Sequence, residues 1–303
     1  VPSAGAAAPA VVPLAARRAG SRTGTRTGVP RWRAALRSPV VAAVGAVAVL
    51  AGGGAAAAAN WLPIFRTEQV VAVDVTETDL VDLPDLSALG TVEVLQEPQV
   101  REVADAAAAE AETGLTVPTL AALPGGIADG PTYQVGDEVT AVLTFSAERV
   151  AEAVAAGADL PTPPAGLDGS QFRITAGPGV AAVWADGRGV PSLVVGRAGA
   201  PTVDSSGVPF ATARDYVLSL PGLPEDLATQ LRAFSADGST LPLPVPAGSV
   251  DTDTTEVDGA PATVFTTRDG LMAGVVWVED GTLTAVAGTL SDDEVLDVAR
   301  GLR

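Results

Sequence analysis

A run of twenty residues without a charged side chain, Val40 to Ala59, constrains this chain more than any other feature. At a rise of 1.5 Å per residue, a helix of that length spans about 30 Å, the thickness of a bilayer's hydrocarbon core. The run is entered through Ser38-Pro39. Proline suits a first helical position, where its missing N–H would be unbonded anyway. Trp32 and Arg37 before the run, and Trp61 and Phe65 after it, stand where interfacial anchors belong. The run is rich in Ala, Val and Gly with Leu50 its only leucine. Each residue therefore contributes little transfer energy, and a buried soluble helix is the competing reading.

Charge sets the orientation. Residues 1–38 carry seven arginines and no acid, whereas the chain from Arg66 onward carries eleven arginines and all thirty-six acids. Basic residues close to a span stay on the cytoplasmic side. The arm is therefore expected in the cytoplasm and the acidic body outside it, as a single-pass protein of the cell membrane. A cleaved signal peptide is the alternative, since Ala57-Ala58-Ala59 before Asn60 satisfies the small-residue cleavage pattern. Its basic region and apolar run are both longer than such signals usually have. Either way the body lies outside the cytoplasm.

Composition then removes whole classes of chemistry. The chain has no cysteine and no histidine, and all eighteen of its basic residues are arginine. Disulfides, thiol nucleophiles, Ser-His pairs and ordinary zinc, copper or haem ligation are excluded with them. No lysine is present for a Schiff base, a Ser-Lys dyad or a P-loop. No cofactor is expected. An acidic body repels nucleic acid, which leaves the lipid bilayer, an envelope protein, or a peptide or lipid ligand as partners.

Four segments follow: a disordered basic arm (1–38), a transmembrane helix (39–65), membrane-proximal strands or linker (66–96) and an α+β domain (97–303). Residues 1–30 hold almost no large apolar side chain, too few to offset the entropy of ordering. In the body, short β-rich runs are expected at 69–75, 91–95, 132–135, 138–145, 171–175, 180–184 and 192–197. Gly136-Asp137 reads as a two-residue hairpin turn, and Gly177-Pro178-Gly179 as a turn between strands. Glu97 to Thr113 reads as one helix ended by Gly114, with Val100, Val103, Ala107 and Ala111 on one face. Further helices are expected from Ser146 to about Ala156, over Phe210–Leu220 and over Glu225–Phe234. Proline at every second position of Leu241–Pro246 marks a sheet edge or connector.

The last segment is the most regular. Strands at 254–257, 262–267, 272–278 and 283–287 are separated by Asp258-Gly259, Asp269-Gly270 and Asp280-Gly281. Ser291 with Glu294 three residues on is a capping box, opening a helix through Leu302. Val257-Asp258-Gly259, Val275-Val276-Trp277 and Ser291–Leu296, with Gly114–Pro118 and Leu123-Pro124-Gly125 upstream, resemble an uncharacterised bacterial extracytoplasmic domain family. Members of that family sit on single-pass proteins, of actinobacterial type here, and some are appended to anti-sigma factors. More distantly, the pattern is similar to lipoprotein-carrier and sensor half-barrels. The resemblance covers roughly residues 97–303 and implies a curved, mostly antiparallel sheet with packed helices. It brings no catalytic residues.

Other constellations are weaker. Asp251–Glu256 lacks the glycine and terminal glutamate of a calcium loop, and Asp204-Ser205-Ser206-Gly207 departs from an aspartic-protease triplet. Trp184 and Trp277 lie in apolar strand contexts, which makes them core residues or the lining of a concave apolar cavity, with Phe265 and Met272 on the same face by alternation. A non-enzymatic, membrane-anchored sensor or regulatory binding module is the leading expectation. An accessory subunit of a membrane complex such as a transporter, its span packing through Gly52-Gly53-Gly54, is one alternative. A cleaved, secreted binding protein is the other.

Overall fold

Among the described residues, short β-rich runs broken by Asp-Gly turns give a fold of mostly strand with a few helices. The computed structural model describes residues 61–76, 86–96, 99–127, 130–186, 191–221, 223, 225–234 and 238–303. Val40–Ala59, Trp32 and Arg37 lie outside these residues. Among the described residues no helix is long and apolar enough to cross a membrane.

Two antiparallel sheets share strands end to end. The chain makes four long passes: β3 (Gly90–Gln96) into β4 (Val100–Val103), β5 (Thr132–Gly136) into β6 (Val139–Phe145), β7 (Gln171–Ala176) into β8 (Gly179–Ala185), and β9 (Pro191–Gly199) into β10 (Thr202–Ser205). Of each pass, β3, β6, β7 and β10 belong to a five-stranded sheet completed by β1 (Leu62–Arg66). The other halves, β4, β5, β8 and β9, belong to an eight-stranded sheet. Its remaining strands are β15 (Thr282–Gly288), β14 (Ala273–Glu279), β13 (Ala260–Thr267) and β12 (Val250–Val257), a meander closed by tight turns. Asp258 and Asp280 adopt φ of 51° and 47° ahead of their glycines, as a reversed two-residue turn requires.

The sheets meet at a corner that every pass crosses. Gly136-Asp137 is therefore not a hairpin turn: β5 pairs with β4 and β8, and β6 with β3 and β7. Gly-Asp presents the turn residues in the wrong order, and neighbours on both sides claim the two strands. Gly177-Pro178 is likewise a corner, with a cis bond and Gly177 at φ 81°. The passes are stitched there by Gly177 N–H to the Gly199 carbonyl at 3.0 Å, Gly199 N–H to the Pro178 carbonyl at 2.9 Å and Asp137 N–H to the Gln99 carbonyl at 3.1 Å.

Helix α1 is shorter than the sequence suggests, Ala106–Thr113. Val100–Val103 pair instead with Tyr133–Gly136 as β4. Asp105 fixes the helix start by accepting the Ala108 N–H at 2.8 Å, and Gly114 ends it at φ 70°. A side-chain cap and β-branched valines with a partner strand outweigh an apolar spacing that alone fits a helix.

The eight-stranded sheet is covered on both faces. On its inner face Trp184, Leu193, Val195, Val275, Trp277 and Val286 meet Val295, Val298 and Ala299 of α5 (Asp292–Arg300). Those α5 residues recur at three- and four-residue spacing, one helical face. Beside them α1 packs through Ala109 on Val135 and Val180. On the outer face lies a parallel pair, β2 (Gln69–Val75) with β11 (Thr240–Pro246). Val70 faces the sheet with Val276 and Val278, while Val73 and Val75 face Leu223 and Leu231 beneath α4 (Glu225–Phe234). The prolines of β11 put their missing N–H groups on its free edge, as expected for an edge strand.

The five-stranded sheet has its own core, Phe145, Val150, Leu167, Phe172, Val208, Tyr216 and Leu220, beneath α2 (Ala147–Ala155) and α3 (Phe210–Val217). Within 66–96, β2 and β3 are paired strands of the fold, and Leu62–Arg66 is an edge strand against β10.

Candidate functional site

The last helix and the loop after α1 enclose the first candidate. Thr119 and Arg303 exchange backbone hydrogen bonds, each at 3.2 Å, and Leu120 bridges to Leu302. Leu120, Leu123 and Ile127 then pack against the inner core. Between loop and helix runs an open groove of about 300 Å³, lined by Leu120, Ala121, Ala122, Leu123 and Pro124 on one side and Glu294, Asp297, Val298 and Gly301 on the other. Its floor is aliphatic and its lip carries two carboxylates.

Glu294 is fixed in that lip by the capping box. Its Oε2 accepts the Ser291 backbone N–H and hydroxyl, both at 2.9 Å. These two bonds, the backbone one first, hold its carboxyl below the usual glutamate range, so it is ionised at neutral pH. The capping box was legible in the sequence. The groove was not, because nothing local signals that residue 120 meets residue 302.

The second cluster lies where β1 joins its sheet. Asp204 on β10 accepts from Arg66 on β1 at 3.0 Å and from Arg173 on β7 at 2.9 Å, one guanidinium to each oxygen. The Trp61 ring lies 4.5 Å from the Arg173 guanidinium carbon, in cation–π contact. Asp204 is thus an ion-pair hub.

The aromatic and methionine residues singled out by sequence do not converge. Trp184 and Trp277 are each 5% exposed and share the inner core; neither lines the groove. Phe265 lies on the opposite face from Trp277, since Ala262 stands opposite Trp277 and Phe265 opposite Gly274. Met272 is exposed at the turn between β13 and β14. Phe65 is buried against Phe210, ring centroids 5.6 Å apart, so its ring meets protein and not headgroups. Asp251–Glu256 form strand β12, whose pleat sends Asp251 and Asp253 to one face and Glu256 to the other. Asp251 pairs with Arg268. Among the described residues no group of three or more potential ligands is placed to hold a metal ion.

No protein-family model matches the chain, and no curated protein matches it in sequence.

Proposed function

We propose that the chain is a non-catalytic binding module held at the outer face of a cell membrane by Val40–Ala59, with a regulatory or sensing role. The observation that carries this reading is the junction. The apolar run ends at Ala59, and the first strand of the fold opens at Leu62. Only Asn60 and Trp61 intervene, and Trp61 is itself docked on Arg173. A retained span joined to the fold through two residues would pass its orientation to the domain.

The ligand side of the reading rests on the groove beside α5, whose apolar floor and carboxylate lip suit a basic, apolar-stemmed segment of a peptide or envelope protein. The absence of His, Cys and Lys from the sequence supports binding over catalysis. The resemblance to bacterial extracytoplasmic domains on single-pass proteins points the same way. Intact mass and N-terminal sequencing of the protein from the membrane fraction test the tether. Retention of residues 1–38 is expected. A soluble mature chain beginning near Asn60 overturns the reading in favour of a secreted binding protein.

A further inference from the structure

At Asp204 two arginines meet one carboxylate. The chain has thirty-six acids against eighteen arginines, and most ion-paired arginines have a carboxylate to themselves. Arg101 has two, Glu112 and Asp137, while Arg268 has Asp251 and Arg214 has Asp215. Among the described ion pairs, only Arg66 and Arg173 divide a single carboxylate. These three residues alone sum to one positive charge, and Glu93, in the same cross-strand row through Val142 and with a buried, unpartnered Oε2, is the further carboxylate on that face.

Its donors are also unspent. A guanidinium carries five N–H donors, and each of these two gives one to Asp204. The Arg66 and Arg173 side chains are 49% and 34% exposed, while that of Asp204 is only 11% exposed. Asp204 thus lies deeper than the two guanidinium groups it pairs, each of which is partly exposed. The Arg173 guanidinium sits over the Trp61 ring, 4.5 Å from its centroid. Two preset forks with spare donors match the oxygens of a phosphate group.

Position selects the kind of phosphate. Trp61 lies two residues beyond the apolar run, at the depth where tryptophan settles among lipid headgroups. We propose that Arg66 and Arg173, held by Asp204 and Trp61, clamp the phosphate of an anionic phospholipid headgroup at the membrane surface from which the domain emerges. The proposal rests on the tethered reading above. An acidic body is repelled by anionic lipid; this clamp supplies the local attraction that sets the body's orientation.

The test titrates the full chain, in non-ionic detergent, with short-chain phosphatidylglycerol, short-chain phosphatidylcholine and inorganic phosphate, read by tryptophan fluorescence. Saturable binding of phosphatidylglycerol is expected, at least tenfold weaker in Arg66→Gln and in Arg173→Gln. Arg173→Lys, which keeps the charge but loses the fork, is expected between the parent and Arg173→Gln. Asp204→Asn, which removes the carboxylate that holds both guanidinium groups, should weaken binding by less than either Arg→Gln change, because both positive charges remain. Equal affinity for inorganic phosphate overturns the lipid assignment, and equal affinity for phosphatidylcholine overturns the demand for an anionic lipid. Absent binding, or binding indifferent to Arg173→Gln, overturns the clamp. Because the full chain is supplied, cleavage in the cell, which would sink the tether, leaves this result unaffected.

Discussion

Gly199 and Gly274 are both strand glycines with no room for a methyl group, yet what stands in the way differs. A Cβ on Gly199 would lie 2.5 Å from the Gly177 carbonyl oxygen and 3.0 Å from its carbon, both backbone at the corner. The atoms nearest a Cβ on Gly274 are those at the far end of the Phe265 ring, and a half-buried ring on the outer face can swing aside. Gly199→Ala should therefore destabilise by about 1–3 kcal/mol, the range for overpacking a fixed environment, and Gly274→Ala by clearly less. Urea midpoints of the two variants check the order; a Gly274→Ala loss equal to or larger than that of Gly199→Ala contradicts the account of the corner. The composition of single residues was readable in advance, including what the absence of His, Cys and Lys excludes. The role of Gly199 was not, because its constraint is a carbonyl 22 positions away.

At the scale of elements, what was legible is what is local. The C-terminal meander, its Asp-Gly turns and the α5 capping box lie within a few residues of their own signals. Ser291→Ala removes the acceptor for the Glu294 N–H and should cost about 1 kcal/mol in thermal unfolding, as N-cap losses do. The same box has a pH signature. The Glu294 carboxyl is held below its usual range by the Ser291 N–H and then the hydroxyl. A depressed folded-state pKa gives stability that is complete above the unfolded value, about 4.3, and is lost as pH falls through the folded value. The difference in Tm between the parent and Glu294→Gln should therefore be present at pH 7 and shrink as pH falls below the usual glutamate range; a difference that does not shrink in acid assigns it to something other than ionisation. Elements whose partners are distant were misread. β1 and β10 carried no pattern of their own, and β4 looked helical until Tyr133–Gly136 supplied a partner. The Asp137 corner looked like a hairpin because a corner and a turn use the same residues.

For the molecule as a whole, the open question in such a layout is whether the corner is a hinge or a seam. Each sheet has its own core, one around Leu193 and Trp277 and one around Phe145 and Tyr216, and two cores usually mean two units. Here the passes 171–185 and 191–205 run through both sheets with only a corner between their halves. Their backbones are hydrogen-bonded to each other at that corner. Opening one sheet must pull strands out of the other, so the two should share one cooperative unit. Leu193 is 0% exposed in the eight-stranded sheet, and Leu193→Ala should cost about 2–5 kcal/mol. Native-state hydrogen exchange then decides between hinge and seam. With a seam, the slowest amides of β6 and β7 lose as much protection as those of β14 and β15, although no atom of β6 or β7 has been touched. With a hinge, β14 and β15 weaken alone and the five-stranded sheet keeps its parent protection. The seam is the expected result.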